Sequence, residues 1–341
     1  MIRYQGVSKE KIKKAHELNY LEPTETLDGW LKIEGYDFSR PFNFKEFIES
    51  YFTTGFQATS VARAIQIIRK MRKEKATIFL GFTSNMATCG IRDIIAYLVK
   101  EKMVDVLVTT AGGVEEDIIK TIKPFVLGSY DARGHTLHQK GINRTGNIFI
   151  PNDRYIYFER LLNNFLKKIY KRQKDTGKII NAVDFVHELG KEVNDEKSIC
   201  YQATKNNVPI ICLPLTDGSL GDIIYFFKQN NKDFQIDMVD DLVTITNIAL
   251  NAEKTGIIAI GGSVPKHQIA NANLFRGGAD YAVYITTATE SEGSNAGANI
   301  EEAISWGKIK STAEQVKVYS EASIVFPLIV AGAFMDYKNK H

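Results

Sequence analysis

Residues 104–117 read VDVLVTTAGGVEED. A largely β-branched run gives way to the glycine pair Gly112-Gly113 and then to three acids, Glu115, Glu116 and Asp117. Such a run reads as a buried strand, and glycine at its end lets the chain turn tightly into the next segment. Four other stretches repeat the pattern. TIFLGF (77–82) runs into Thr83-Ser84-Asn85, and VPIICL (208–213) into a turn holding Thr216, Asp217, Gly218 and Asp222. GIIAIG (256–261) runs into Gly262-Ser263, and YAVYIT (281–286) into Thr287-Ala288 and an acidic turn. QVKVYS (315–320) is a further strand. Helical spacing fills the intervals, with Val61, Ile65 and Ile68 on one face and Ile91, Ile94, Ile95 and Leu98 on another. Residues 154–172 read as a helix with Ile156, Phe158, Leu161, Leu162, Phe165 and Ile169 turned inward. This alternation predicts an α/β fold, Rossmann-like, with a largely parallel central sheet flanked by helices. Residues 1–30 are expected to form an N-terminal helical extension, and 31–341 a single α/β domain. Ligands of open parallel sheets bind beyond the carboxyl ends of the strands, so the polar tips are expected to converge on one crevice.

Composition narrows the function. The chain has 341 residues, 44% of them apolar and 24% charged, which excludes a disordered protein. Its three cysteines, Cys89, Cys200 and Cys212, are widely spaced and form no CxxC, so neither a disulfide framework nor a zinc knuckle is expected. The charged start is unlike a signal peptide, and no apolar run reaches the roughly 20 residues of a membrane span. A cytoplasmic protein is expected, without a membrane role. The net charge is +3 and the lysines are scattered, so nucleic-acid binding is not indicated.

Each motif has a plain reading beside a chemical one. The glycine pairs Gly112-Gly113 and Gly261-Gly262 are ordinary turns or places where backbone approaches a pyrophosphate; two pairs at strand ends favour a dinucleotide. Loop carboxylates are usually solvated, but several in one concave site attract a polycation. His135 and His138 in GHTLHQ lack a third ligand at metal spacing, so no metal is expected. His267 follows a strand-end glycine turn, a place suited to proton transfer. EEAISWGKIK (301–310) sets Lys308 beside Trp306, one of only two tryptophans, with Glu301 and Glu302 upstream. Taken alone, it reads as a helix end with a core tryptophan and solvated charges.

In combination, SNMAT (84–88), TTAGGVEED (109–117), LTDGSLGD (215–222), KHQIANANL (266–274), GADYAVYI (278–285), SWGKIK (305–310) and VKVYSEASIVFPL (316–328) resemble the deoxyhypusine synthase family, in order, over roughly residues 20 to 333. The resemblance implies an NAD-dependent transferase. It oxidises spermidine, carries the 4-aminobutyl group as an imine on an active-site lysine, and passes it to one lysine of the initiation factor 5A precursor. By the same resemblance Lys308 is the nucleophile and His267 the proton-transfer group. Spermidine is assigned to Glu115, Glu116, Asp222, Asn271, Tyr284, Gly293, Ser294, Asn295, Glu302 and Trp306. NAD is assigned to Ser84, Asn85, Thr88, Thr110, Ala111, Gly112, Glu116, Asp217, Gly262, Thr287, Ala288, Glu321 and Ala322. A homotetramer with active sites at subunit interfaces is implied. A flexible polycation with methylene spacers needs carboxylates for its amines and an aromatic wall between them. An imine-forming lysine attacks as the neutral amine; freeing an ordinary lysine near neutral pH costs about 4 kcal/mol, so an alkaline activity optimum is expected. The sequence departs from the family twice. EGSNAG carries Asn295 where eukaryotic members usually have aspartate, and Glu321 replaces another usual aspartate. Homospermidine synthase, with putrescine as acceptor, is the close rival. A non-catalytic partner subunit and a plain amine dehydrogenase are more distant ones, since neither needs Lys308.

Overall fold

The computed structural model describes residues 6–20 and 26–335. Among these residues the strands are β1 (Thr77–Phe82), β2 (Val106–Val108), β3 (Val126–Leu127), β4 (Ile142–Thr145), β5 (Ile148–Pro151), β6 (Ile180–Asn181), β7 (Ile210–Ile211), β8 (Ile236–Asp237), β9 (Thr255–Ile260), β10 (Ala279–Thr286) and β11 (Ile309–Tyr319). Six of them form the central sheet in the order β11-β10-β9-β1-β2-β7, and every pair is parallel. The fold is therefore α/β with a large parallel sheet flanked by helices, and each of the six strands read from the sequence belongs to that sheet.

Alternation along each strand divides the core between the two faces. Leu80, Ile258 and Val283 face the helices Phe56–Lys73, Ile91–Lys100 and Ala322–Phe334, where Ile65, Ile68, Ile95, Leu98 and Phe326 are buried. Phe79, Ile257 and Ala282 face the opposite way, onto Ile269 and Ala272 of the helix Ser263–Leu274 and Ile245 and Ala249 of Asp240–Asn251. Strands buried on both faces are continuous apolar runs, which is why they are visible in the sequence.

The structure departs from the sequence reading in several places. The helix read over 154–172 runs Asp153–Thr176 and buries Phe158, Leu162, Phe165, Leu166 and Ile169, but Ile156 is 48% exposed. Two residues along a helix is a turn of about 200°, so Ile156 cannot share the stripe begun by Phe158. Strand β11 starts at Ile309, ahead of the expected 315. A three-stranded antiparallel sheet, β3-β5-β4, and a parallel pair, β6-β8, add to the strands expected from the sequence. Of the expected 1–30 extension, the helix Lys9–Asn19 buries no residue, while residues 1–5 and 21–25 lie outside the described residues. No helix among the described residues is long and apolar enough to cross a membrane.

Candidate functional site

The site begins at the carboxyl ends of β1, β2, β7 and β9, which meet in a continuous belt. A Cβ on Gly112 would lie 2.6 Å from Ser84 Cβ, one on Gly218 2.8 Å from Glu115 Oε1, and one on Gly261 2.8 Å from Thr83 Oγ1. Gly261 and Gly218 also have φ of +83° and +65°, so glycine is required there twice over. This belt brings together Ser84, Asn85 and Thr88 of the short helix Ser84–Thr88, Thr110, Ala111, Gly112, Glu115 and Glu116 around the start of Ala111–Ile122, and Asp217 and Asp222 around the start of Gly218–Asn230. The hydroxyls of Thr109 and Thr110 are buried without a hydrogen-bond partner among the described residues. Unmatched hydroxyls, closely packed glycine and a helix start with no side-chain cap suit a phosphate-bearing group.

The three acids of VEED do different work. Asp117 is fully buried, where its carboxylate accepts from Arg92 Nε at 2.7 Å, Ser198 Oγ at 2.6 Å and the backbone amides of Ile199 and Cys200. It joins helices and faces no ligand. Glu115 accepts from the Leu220 amide at 2.7 Å, and burial, opposed by that bond and helped by Asp217 and Asp222, pushes its pKa up. Glu116 accepts the Thr88 hydroxyl, and burial foremost, with the Glu115 charge, raises its pKa to about 7. Two residues missed in the sequence complete this patch. Tyr155 stands near both acids, and burial, then Glu116 and Glu115, push its pKa to about 12. Lys120, one turn beyond Glu116, donates to the carbonyls of Ala87, Thr88 and Cys89 at 2.8–3.0 Å and so caps the end of the Ser84–Thr88 helix.

Lys308 is elsewhere. It lines a cleft of about 520 Å³ together with His267, Asn271, Tyr284, Gly293, Asn295, Glu302 and Trp306. The cleft runs beside the helix Ser263–Leu274, from the loop beyond β10 down to the amino end of β11, where the backbone of Lys308 directly precedes Ile309. One crevice for every polar tip is therefore incorrect. None of Glu115, Glu116, Asp217 and Asp222 lines the cleft. The physical reason is lateral: these four acids follow β2 and β7 at one end of the sheet, whereas the cleft is built after β9 and β10 and before β11 at the other. Ser294 does not line it either; its hydroxyl accepts from the Gly297 amide within a turn. Thr287 and Ala288 follow β10, and Glu321 caps the helix Ala322–Phe334 by accepting from the Ile324 amide.

Within the cleft the Lys308 ammonium lies 5.3 Å from the centre of the Trp306 ring. Trp306 is 64% exposed, so the plain reading of it as a core residue fails. The His267 ring is hydrogen-bonded at Nδ1 to the Asn271 side-chain amide at 3.2 Å, a contact that fixes the ring's orientation whichever tautomer it takes. Burial, and after it the positive charge of Lys308, lowers the pKa of His267. Asn295 donates from Nδ2 to the Ser263 carbonyl at 2.9 Å, a bond that an ionised aspartate there cannot make. Lys266 also lines the cleft and does not stand out in the sequence; the signal available is a lysine in the first turn of a helix, against the dipole. Among the described residues no cluster of three or more His, Cys, Asp or Glu side chains is arranged to hold a metal ion.

The family model for deoxyhypusine synthase matches residues 46–333. The chain belongs to the deoxyhypusine synthase family. Relatives bearing the name probable deoxyhypusine synthase include a Methanocaldococcus jannaschii protein, 49% identical over 91% of this chain and 98% of its own length. A Dictyostelium discoideum protein of the same name is 45% identical over 91% of this chain and 88% of its own. The crystal structure of an Entamoeba histolytica protein of that designation superposes with a TM-score of 0.64 at 34% identity, covering 89% of this chain and 96% of the other. Membership makes the chain an enzyme.

Proposed function

We propose that the enzyme transfers the 4-aminobutyl group of spermidine, through an imine on Lys308, to a lysine of the initiation factor 5A precursor. The observation that carries this reading is the cleft itself, in which one lysine, one tryptophan, one histidine and Glu302 line the same space. Trp306 offers a face to a methylene chain, and Glu302 a carboxylate to an ammonium. His267, oriented by Asn271 and biased toward its neutral form, is placed to take the proton released as the Lys308 amine forms its carbon–nitrogen bond, and to return it to the departing amine.

The balance of the reaction calls for a hydride acceptor that later becomes the donor. NAD supplies that when bound, and the residues at the strand-end belt fit it. The Thr109 and Thr110 hydroxyls, buried without a partner among the described residues, and the uncapped start of Ala111–Ile122 support a pyrophosphate site there. Spermidine loses a hydride and a proton. Lys308 displaces the diaminopropane remainder, the acceptor lysine displaces Lys308, and the hydride returns, so there is no net redox change. Glu115, Glu116 and Asp222 are then the remaining carboxylates for polyamine charge. Their absence from the Lys308 cleft within one chain supports active sites completed across subunit interfaces, as in the homotetramer that the family resemblance implies.

Borohydride trapping tests the reading. Spermidine labelled in its butyl part, with NAD, is expected to leave label on Lys308 in the wild type and none in Lys308→Arg, which keeps the charge but forms no imine. Label on another residue, or equal label in the variant, would refute it. Supplying the factor precursor or putrescine as acceptor then identifies the product.

A further inference from the structure

Lys266 sits in the first turn of the helix Ser263–Leu274 and is 4% exposed. A cation there is opposed both by the helix dipole and by desolvation. Burial, and then the charge of Lys317, brings its pKa down to about 8, with Glu302 opposing. Its Nζ donates to the carbonyls of Asn295 and Ala298 at 2.7 and 2.8 Å and lies 4.3 Å from the centre of the Tyr284 ring. Both carbonyls belong to the loop that ends at Asn299, the N-cap of the short helix Ile300–Ser305. That helix carries Glu302 and is followed at once by Trp306. The loop is tied from two further sides: Lys317 Nζ donates to the Gly297 carbonyl at 2.5 Å, and Asn295 Nδ2 donates to the Ser263 carbonyl at 2.9 Å. Ser263 holds a φ of +59°, a strained conformation at the junction that all these bonds surround.

We propose that Lys266 is a positioning residue, whose ammonium locks the 293–299 loop to the His267 helix and thereby sets the spacing of Glu302 and Trp306 across the cleft. A methionine would fill the same volume with no charge to desolvate; what the ammonium adds is a fixed direction for two carbonyls. The inference rests on the proposed function of the cleft for its ligand, but not for its mechanical content.

The test uses full-length Lys266→Met and Lys266→Arg in a Trp30→Phe background, so that emission reports Trp306. Three readouts are taken with NAD present: spermidine titration by Trp306 emission, kcat and KM, and amide hydrogen exchange of residues 293–299. Losing two charge-assisted bonds is expected to raise exchange across 293–299 about tenfold or more and to weaken spermidine binding and KM about tenfold, with kcat changed less. Lys266→Arg, which keeps the donor, is expected to recover part of both. A lysine that merely supports the fold would lower Tm and leave KM and local exchange alone, and that outcome overturns the proposal. Should Lys266→Met fail to fold, Lys266→Gln, a shorter neutral donor, takes its place, and unchanged exchange and KM there overturn the proposal equally. A wild type whose Trp306 emission ignores spermidine refutes the proposed function, whereas a responsive wild type matched by Lys266→Met refutes this inference alone.

Discussion

Glu116→Gln should make the ligand-free enzyme more stable at pH 8 while impairing it as a catalyst. Glu116 is buried against Thr88, Glu115 and Tyr155, and its pKa is raised from the ordinary 4.5 to about 7. A carboxyl with a raised folded pKa keeps its proton longer folded than unfolded, so the unfolded chain gains stability relative to the native one as pH climbs from 4.5 through 7. At ~1.4 kcal/mol per pKa unit, holding the ionised form at pH 8 costs on the order of 3 kcal/mol. Glutamine accepts the same Thr88 hydroxyl without the charge. For a chain of this length, about 3 kcal/mol corresponds to roughly 4 °C in Tm. Thermal unfolding at equal protein concentration, at pH 8 and at pH 4.5, should therefore show the variant ahead by a few degrees at pH 8 and level with wild type at pH 4.5. An equal difference at both pH values, or a loss at pH 8, would mean that Glu116 is not a strained carboxylate and that the acid patch is not poised for a cation.

Two further outcomes concern the frame around that patch. Arg92→Met leaves Asp117 buried with its three neutral donors only, and should cost roughly 3–5 kcal/mol in denaturant unfolding, partly regained in the Arg92→Met/Asp117→Asn double variant. Gly112→Ala forces a methyl to within 2.6 Å of Ser84 Cβ, so calorimetric titration should show NAD binding weakened about tenfold and stability reduced by about 1–3 kcal/mol. Gly90→Ala, which meets nothing within 4 Å, should leave both unchanged.

The central sheet is legible because buried parallel strands leave long apolar runs, and Leu80, Val106 and Ile258 sit in such runs. The β3-β5-β4 sheet is not, since Ile142–Thr145 reads INRT, two residues of β3 are exposed, and hairpin pairing alone gives it shape. Likewise the stretch of β11 from Lys310 to Glu314 is largely polar and partly or fully exposed, and resembles a loop until β10 is placed beside it. Lys308, His267 and Trp306 stand out by family pattern, and the cleft gathers them. What no pattern conveys is which acid turns which way: Asp117 and Glu116 are adjacent in the chain, yet one is locked to Arg92 and the other opens on Thr88. Lys266 and Tyr155 stay hidden because their partners lie 29 or more residues away in sequence, at Asn295 and at Glu116.

Lys308 is fastened at both ends of its own peptide unit: its amide donates to the Ala303 carbonyl at 3.0 Å and its carbonyl accepts from the Ala279 amide at 3.0 Å. In the transfer proposed above, its cargo is shuttled only by swivelling the side chain's own flexible stem, never by sliding the main chain. Donor and recipient must in consequence come to the same doorway in turn, and the arm's short radius bounds how far apart those two visitors can stand.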